Sequence, residues 1–184
     1  DDPDFLFTFM SFLYPLTIFR YDTATARLEV FQPSSVPVDP EQFETHQVFY
    51  PSTGGAQVSM FITHRRGLAL NGQNPTLIYA YGGFDAPVLP NFEVPNYVWL
   101  ENGGVYAVPN LRGGGEYGEA WHEDGMLGNK QHVFDDMINA AQWLVHNGYT
   151  SPGKLAIRGA SNGGLLVGAC MTQRPELFGA VLCG

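Results

Sequence analysis

Aromatic side chains fall on alternate positions at Phe5, Phe7 and Phe9 and continue more loosely through Phe12, Tyr14, Phe19 and Tyr21, with Pro15 breaking the run. A period of two marks a strand, so the first ~35 residues are expected to be all β. Asp22-Thr23-Ala24-Thr25 reads as a turn, followed by Leu28-Glu29-Val30-Phe31 as another short strand. Residues 32–40 then hold three prolines and two serines, which is linker composition, and a domain boundary is expected between residues 36 and 37.

From Gln47 onward the pattern changes. Val48-Phe49-Tyr50 and Val58-Ser59-Met60-Phe61-Ile62-Thr63 flank Ser52-Thr53-Gly54-Gly55, an antiparallel hairpin signal. Two continuous apolar runs follow, Thr76 to Tyr81 and Gly104 to Val108, which suit strands covered on both faces and imply a parallel sheet. Between Gln131 and His146, Val133, Met137, Ala140, Ala141 and Leu144 share one helical stripe, and Asn147-Gly148 supplies the stop. Lys154 to Arg158 reads as a strand running into a Gly-rich turn, Leu165 to Thr172 as a helix ended by Pro175, and Phe178 to Cys183 as a further strand. Strands alternating with helices argue for an α/β architecture.

Composition narrows the function classes. A chain of 184 residues with 45% hydrophobic and 15% charged content is long enough for one core of moderate size. With nine Lys and Arg and a net charge of −9 it carries no basic cluster, so neither nucleic acid nor an anionic membrane is an expected partner. No apolar run reaches the ~20 residues of a membrane-spanning helix, and Asp1-Asp2-Pro3-Asp4 lacks the basic start of a signal peptide, so a cytoplasmic setting is expected. Cys170 and Cys183 lie in apolar surroundings and are expected to be two buried thiols without a redox role.

The chemistry concentrates at Arg158-Gly159-Ala160-Ser161-Asn162-Gly163-Gly164. A Gly-x-Ser-x-Gly string is common by itself, but here a strand precedes it and a helix follows. That is the context of a nucleophile elbow, in which a sharp turn lifts the serine hydroxyl above the sheet and leaves no space for neighbouring side chains. Ser161 would stand at a helix N-terminus, where the backbone N–H of Asn162 can stabilise the oxyanion of an acyl-transfer intermediate.

Taken together, Ser161-Asn162-Gly163-Gly164-Leu165-Leu166, Tyr81-Gly82-Gly83-Phe84, Asn110-Leu111-Arg112-Gly113-Gly114-Gly115-Glu116-Tyr117-Gly118 and Gln173-Arg174-Pro175 resemble the prolyl oligopeptidase family. The resemblance implies an α/β-hydrolase fold, with residues 1–36 the C-terminal remnant of a β-propeller and linker, and residues 37–184 the N-terminal part of the peptidase domain. It implies a serine peptidase cleaving short proline-containing peptides after proline, monomeric at full length and without cofactor or metal. Ser161 matches the nucleophile, Tyr81 the tyrosine that joins the Asn162 N–H in the oxyanion hole, and Phe84 a residue near the proline pocket. Without the resemblance, Tyr81 reads equally as a packed strand-end aromatic, and Phe84 as loop or core packing. Ala160 departs from the family's usual glycine, while Ser-Asn-Gly-Gly favours the prolyl member over dipeptidyl peptidases and oligopeptidase B.

In this fold the triad runs Ser, then Asp or Glu, then His. Only Glu176 among the residues after Ser161 is a carboxylate, and none is His. Both partners are therefore expected beyond Gly184, and the 184-residue piece alone is expected to be nearly inactive. His46, His64, His122, His132 and His146 all precede Ser161 and read as surface or structural residues. Asp135 and Asp136, early in a helix, are assigned to capping and solubility. Arg112 before three glycines lacks the ending of a phosphate loop, and Glu116 is left to pair with Arg112 or face solvent. An esterase or lipase of the same fold and a non-catalytic truncated piece remain the alternatives.

Overall fold

The computed structural model describes residues 4–184. Asp1 to Pro3, on which the signal-peptide reading partly rested, lie outside the described residues. Strands β1 (Asp4–Phe9), β2 (Thr17–Asp22) and β3 (Arg27–Gln32) form an antiparallel three-stranded sheet. The turn between β2 and β3 is closed by Asp22, whose carboxylate accepts the N–H groups of Ala24 and Thr25. Phe5, Phe7, Phe9, Leu28, Val30 and Phe31 of this sheet are exposed.

The second sheet has six strands in the order β4-β5-β7-β6-β8-β9, formed by Phe43–Pro51, Gln57–Arg65, Val105–Pro109, Thr76–Tyr79, Leu155–Gly159 and Ala180–Cys183 respectively. It is a mixed sheet. The parallel arrangement expected from the apolar runs holds across β7-β6-β8-β9, whereas the β4-β5 hairpin extends it antiparallel through β5 and β7. A hairpin can add to a sheet only as an antiparallel pair, so the Gly54-Gly55 turn already contained this exception.

Alternation along the central strands divides the core in two. Ile78, Ala107, Ile157 and Met60 face helices α3 (Lys130–His146) and α4 (Asn162–Gln173), where they pack with Val133, Met137, Leu144 and Leu166. Leu77, Tyr106 and Val108 face the other side, toward Tyr97 and Leu100 of α1 (Val94–Glu101). Phe12, from the loop after β1, inserts into this second layer with its ring 5.7 Å from Phe61 and 6.0 Å from Tyr106. Sequence periodicity did not signal α1, because VPNYVWLE is apolar around most of its circumference and shows no single stripe. The short α2 (Glu119–Glu123) was likewise unmarked.

Three expectations are corrected. Asp136 is not a solvated capping residue: its side chain is fully buried and forms a two-pronged ion pair with the equally buried Arg112, Nε to Oδ2 at 2.9 Å and Nη2 to Oδ1 at 2.6 Å. Glu116 neither pairs with Arg112 nor simply faces solvent; its Oε1 accepts the Val88 N–H at 2.8 Å and Asn110 Nδ2 at 3.2 Å. Cys183 is exposed, since β9 is a sheet edge among the described residues; Cys170 is buried as expected, and desolvation pushes its thiol up to about 12.

The Arg112–Asp136 pair joins three segments. The Arg112 N–H also donates to Asp136 Oδ2 at 3.1 Å, and Nη1 reaches Asp124 Oδ2 at 2.9 Å. From the β4-β5 turn, Ser52 Oγ donates to Asp136 Oδ1, and Thr53 Oγ1 accepts from Arg112 Nη2 at 3.1 Å. Burial opposes the guanidinium charge, but the carboxylates of Asp136 and Asp124 outweigh it and hold the Arg112 pKa above its ordinary value. Removing one member leaves the other as an uncompensated buried charge, which is strongly destabilising. Arg112→Met is expected to lower unfolding stability by about 3–5 kcal/mol in urea titration, more than a typical core substitution; a loss under ~1 kcal/mol would show the pair to be energetically neutral.

Candidate active site

The carboxyl ends of three adjacent parallel strands meet at one edge of the sheet. Tyr81 follows β6, Asn110 to Arg112 follow β7, and Ser161 follows β8. Open α/β sheets bind ligands outside the carboxyl ends of their strands.

Ser161 occupies φ 57°, ψ −118°, a left-handed conformation that a side-chain-bearing residue holds only when its surroundings enforce it. The enforcement comes from backbone hydrogen bonds and from missing side chains. Ser161 N–H donates to the Gly184 carbonyl at 2.9 Å, Gly163 N–H to Ala160 at 2.8 Å and Leu165 N–H to Ser161 at 3.1 Å. A Cβ on Gly159 would collide with the Gly163 carbonyl oxygen, and one on Gly163 would lie 2.8 Å from the Ala80 carbonyl oxygen. Strand β8, helix α4 and the end of β6 thus approach at backbone distance. Ala160 fits the turn as an exposed residue.

This turn leaves Ser161 exposed at the head of α4. Asn162 is the first residue of that helix, so its N–H has no intrahelical acceptor. A hydroxyl beside an unpaired N–H at a positive helix end suits attack on a carbonyl with stabilisation of the resulting oxyanion.

The Asn162 side chain is also engaged. Its Nδ2 donates to the Tyr81 carbonyl at 2.6 Å, and its Oδ1 accepts from Lys130 Nζ at 3.1 Å. Lys130 Nζ also donates to the Gly82 carbonyl at 2.7 Å. Gly82 takes φ 60°, and a Cβ there would strike Val133. Gly83 is equally confined, since its Cβ would meet Asn162 Nδ2 at 2.5 Å. Tyr81 and Asn162, 81 residues apart in the chain, are in this way brought into direct contact.

Phe84 sits apart from Tyr81. Both Phe84 and Asp85 adopt positive φ, 57° and 53°, and Phe84 is 77% exposed. It borders a cavity of about 470 Å³ shared with Gly83, His122, Met126, Lys130 and Asn162. The Tyr81 side lines a different cavity of about 560 Å³, with Met10, Pro87 and Leu89.

Sequence reasoning missed Lys130, whereas His122, read from the sequence as a surface or structural residue, bonds backbone groups beside the site. His122 Nδ1 lies 2.8 Å from the Gly113 carbonyl and 3.1 Å from the Asp85 N–H, so either tautomer of the ring satisfies one of them. Among the described residues no histidine is hydrogen-bonded to Ser161. The one group of metal-ligating side chains among them, Glu44, His46 and His64, lies on the β4-β5 pair. There the Arg66 guanidinium, 3.5 Å from Glu44 Oε2, already supplies the positive partner and would repel a cation.

Gly163→Ala is expected to lower the urea midpoint by an amount equivalent to about 1–3 kcal/mol, because the clash is with backbone that cannot rotate away. An unchanged midpoint would show that α4 and β6 are not packed this closely.

The family model described as the prolyl oligopeptidase family matches residues 90–184. A prolyl endopeptidase of Elizabethkingia meningoseptica is 48% identical over 176 residues, covering 96% of this chain and 25% of that protein. A prolyl oligopeptidase of Omphalotus olearius is 44% identical over 185 residues, covering 98% of this chain and 25% of its own length. Among solved structures, one from a study of two prolyl endopeptidases superposes with a TM-score of 0.93 at 52% identity, covering 98% of this chain and 27% of that one. A post-proline cleaving enzyme of Rickettsia typhi superposes with a TM-score of 0.91 at 38% identity, covering 98% and 26%. The chain spans about a quarter of the length of the curated relatives it matches. By the matched family model and these identities, the chain belongs to the prolyl oligopeptidase family.

Proposed function

We propose that the protein containing this chain is a serine peptidase that cleaves short peptides after proline, with Ser161 as its nucleophile. The observation that carries the reading is the strained turn holding Ser161 at φ 57° at the head of α4, beside the Asn162 N–H, which as the first of the helix has no intrahelical acceptor. Ser161 Oγ attacks the carbonyl carbon of the proline residue and passes its proton to a general base. The resulting oxyanion accepts hydrogen bonds from the Asn162 N–H and the Tyr81 hydroxyl. Collapse expels the amine, which takes up the proton from the base, and water then hydrolyses the acyl-enzyme by the same route. Phe84 is assigned to the wall of the proline pocket. The general base and its acidic partner are assigned to segments outside residues 1–184, so this stretch by itself would retain little beyond the residual acceleration of an oxyanion site.

The family to which the chain belongs supports the substrate class. Relatives are named prolyl endopeptidases, and a prolyl oligopeptidase of Galerina marginata has been solved with a 25mer or 35mer substrate in variants replacing one Asp, one His or one Ser by alanine. On the same grounds residues 37–184 are assigned to the N-terminal part of an α/β-hydrolase peptidase domain. Residues 1–36 are assigned to the end of a β-propeller, for which the apolar side chains left exposed on the β1-β2-β3 sheet are the supporting observation.

In the full-length protein, Ser161→Ala is expected to reduce turnover of a post-proline peptide by about 10⁴–10⁶-fold, and Tyr81→Phe to lower kcat by about 10²–10³-fold with KM little changed. Retained peptide turnover in Ser161→Ala would overturn the assignment. Rapid cleavage of short esters without post-proline cleavage would favour the esterase alternative.

A further inference from the structure

Lys130 is placed where helix electrostatics disfavour it. It is the first residue of α3, at the positive end of that helix, and it is half-buried. Among the described residues no carboxylate lies within 4.0 Å of its ammonium. Both of its partners are carbonyl oxygens, Gly82 O at 2.7 Å and Asn162 Oδ1 at 3.1 Å. Desolvation lowers its pKa, so holding this ammonium in place works against α3 and against burial alike.

The compensation is geometric. An Asn amide has an acceptor end and a donor end, and its orientation is fixed by what it faces. Here the donor end faces the Tyr81 carbonyl at 2.6 Å and the acceptor end faces Lys130. A donor-only ammonium against Oδ1 permits one orientation, in which Nδ2 must donate to Tyr81. Through its second bond Lys130 also holds the Gly82 carbonyl, one residue beyond Tyr81. The ammonium therefore closes a ring that runs from Lys130 to Asn162, to Tyr81, to Gly82 and back.

We propose that Lys130 is a positioning residue for the oxyanion-binding groups, fixing the Asn162 backbone and the Tyr81 segment relative to one another. The inference rests on the assignment of Ser161, Asn162 and Tyr81 made above. An oxyanion hole depends on its donors being held in advance where charge develops, and displacement of about 1 Å can cost about 10²-fold in rate. Lys130→Met keeps the apolar stem but removes both donors. The Asn162 Oδ1 and the Gly82 carbonyl then lose the tether they share, and only the Nδ2 bond to the Tyr81 carbonyl still links α4 to that segment.

The test uses the full-length protein and two inhibitors. A peptide aldehyde ending in prolinal adds to the serine and places an oxyanion or hydroxyl in the hole, whereas a product peptide ending in proline reports ground-state binding alone. For Lys130→Met the expected result is a fall in kcat of about 10–100-fold with KM within twofold, and an equal weakening of aldehyde binding with product binding unchanged. Lys130→Arg, which can still donate to both oxygens, is expected to recover part of kcat. Unchanged kcat, or aldehyde and product weakened alike, would overturn the inference. So would failure of Lys130→Met and Lys130→Gln to fold, since Lys130 would then be a structural residue only. If Ser161→Ala retains activity, the underlying reading fails instead.

Discussion

The site depends on a single steric constraint: three backbone segments approach closely because the residues between them lack side chains. Gly159 faces the Gly163 carbonyl, and Gly163 faces the carbonyl of Ala80 at the end of β6. No other residue type would let β8 turn into α4 this sharply while α4 rests against the neighbouring strand. The strain stored at Ser161 is sustained by that packing and by the hydrogen bonds around it, and it directs the serine away from the sheet. The chemistry proposed for Ser161 follows from its position rather than from any perturbed acidity.

Around this turn, two charged side chains do different work. Arg112 is neutralised by Asp136 and Asp124 and fastens the loop after β7 to α3 and to the β4-β5 turn. The same loop reaches the site, because the Gly113 carbonyl accepts the Asp85 N–H and lies beside the His122 ring. Lys130, at the opposite extreme, has no acidic partner among the described residues and directs its donors to the Gly82 carbonyl in the loop after β6 and to Asn162 Oδ1. One cation maintains the scaffold on which the segments rest, and the other sets the distance between two of them.

Much of this architecture was legible in the order of residues. The apolar runs at Thr76 to Tyr81 and Gly104 to Val108 are long enough to identify buried strands, and the stripe from Val133 to Leu144 identifies α3 because its period is unbroken. The elbow was legible for a different reason: its glycines and its serine are adjacent in sequence, so a local string reports a local geometry. What could not be read was set by contacts distant along the chain. Asp136 carries no mark that distinguishes it from the part-exposed Asp135, and only the fold brings Arg112 to it. Lys130 lies 32 residues from Asn162, at a helix start where a lysine has no local purpose. The sharp bend at Phe84 and Asp85 was hidden because Phe disfavours positive φ and a single Asp, though it tolerates that region, does not mark a bend by itself.

The central claim is that the strained turn makes Ser161 the reacting group. It is tested most directly by treating the full-length protein with a fluorophosphonate, which phosphonylates an activated serine, and mapping the adduct by tandem mass spectrometry. A single adduct on Ser161, formed in step with the loss of post-proline cleavage, is the expected result. Loss of activity with the adduct on another residue, or with Ser161 unmodified, would contradict it.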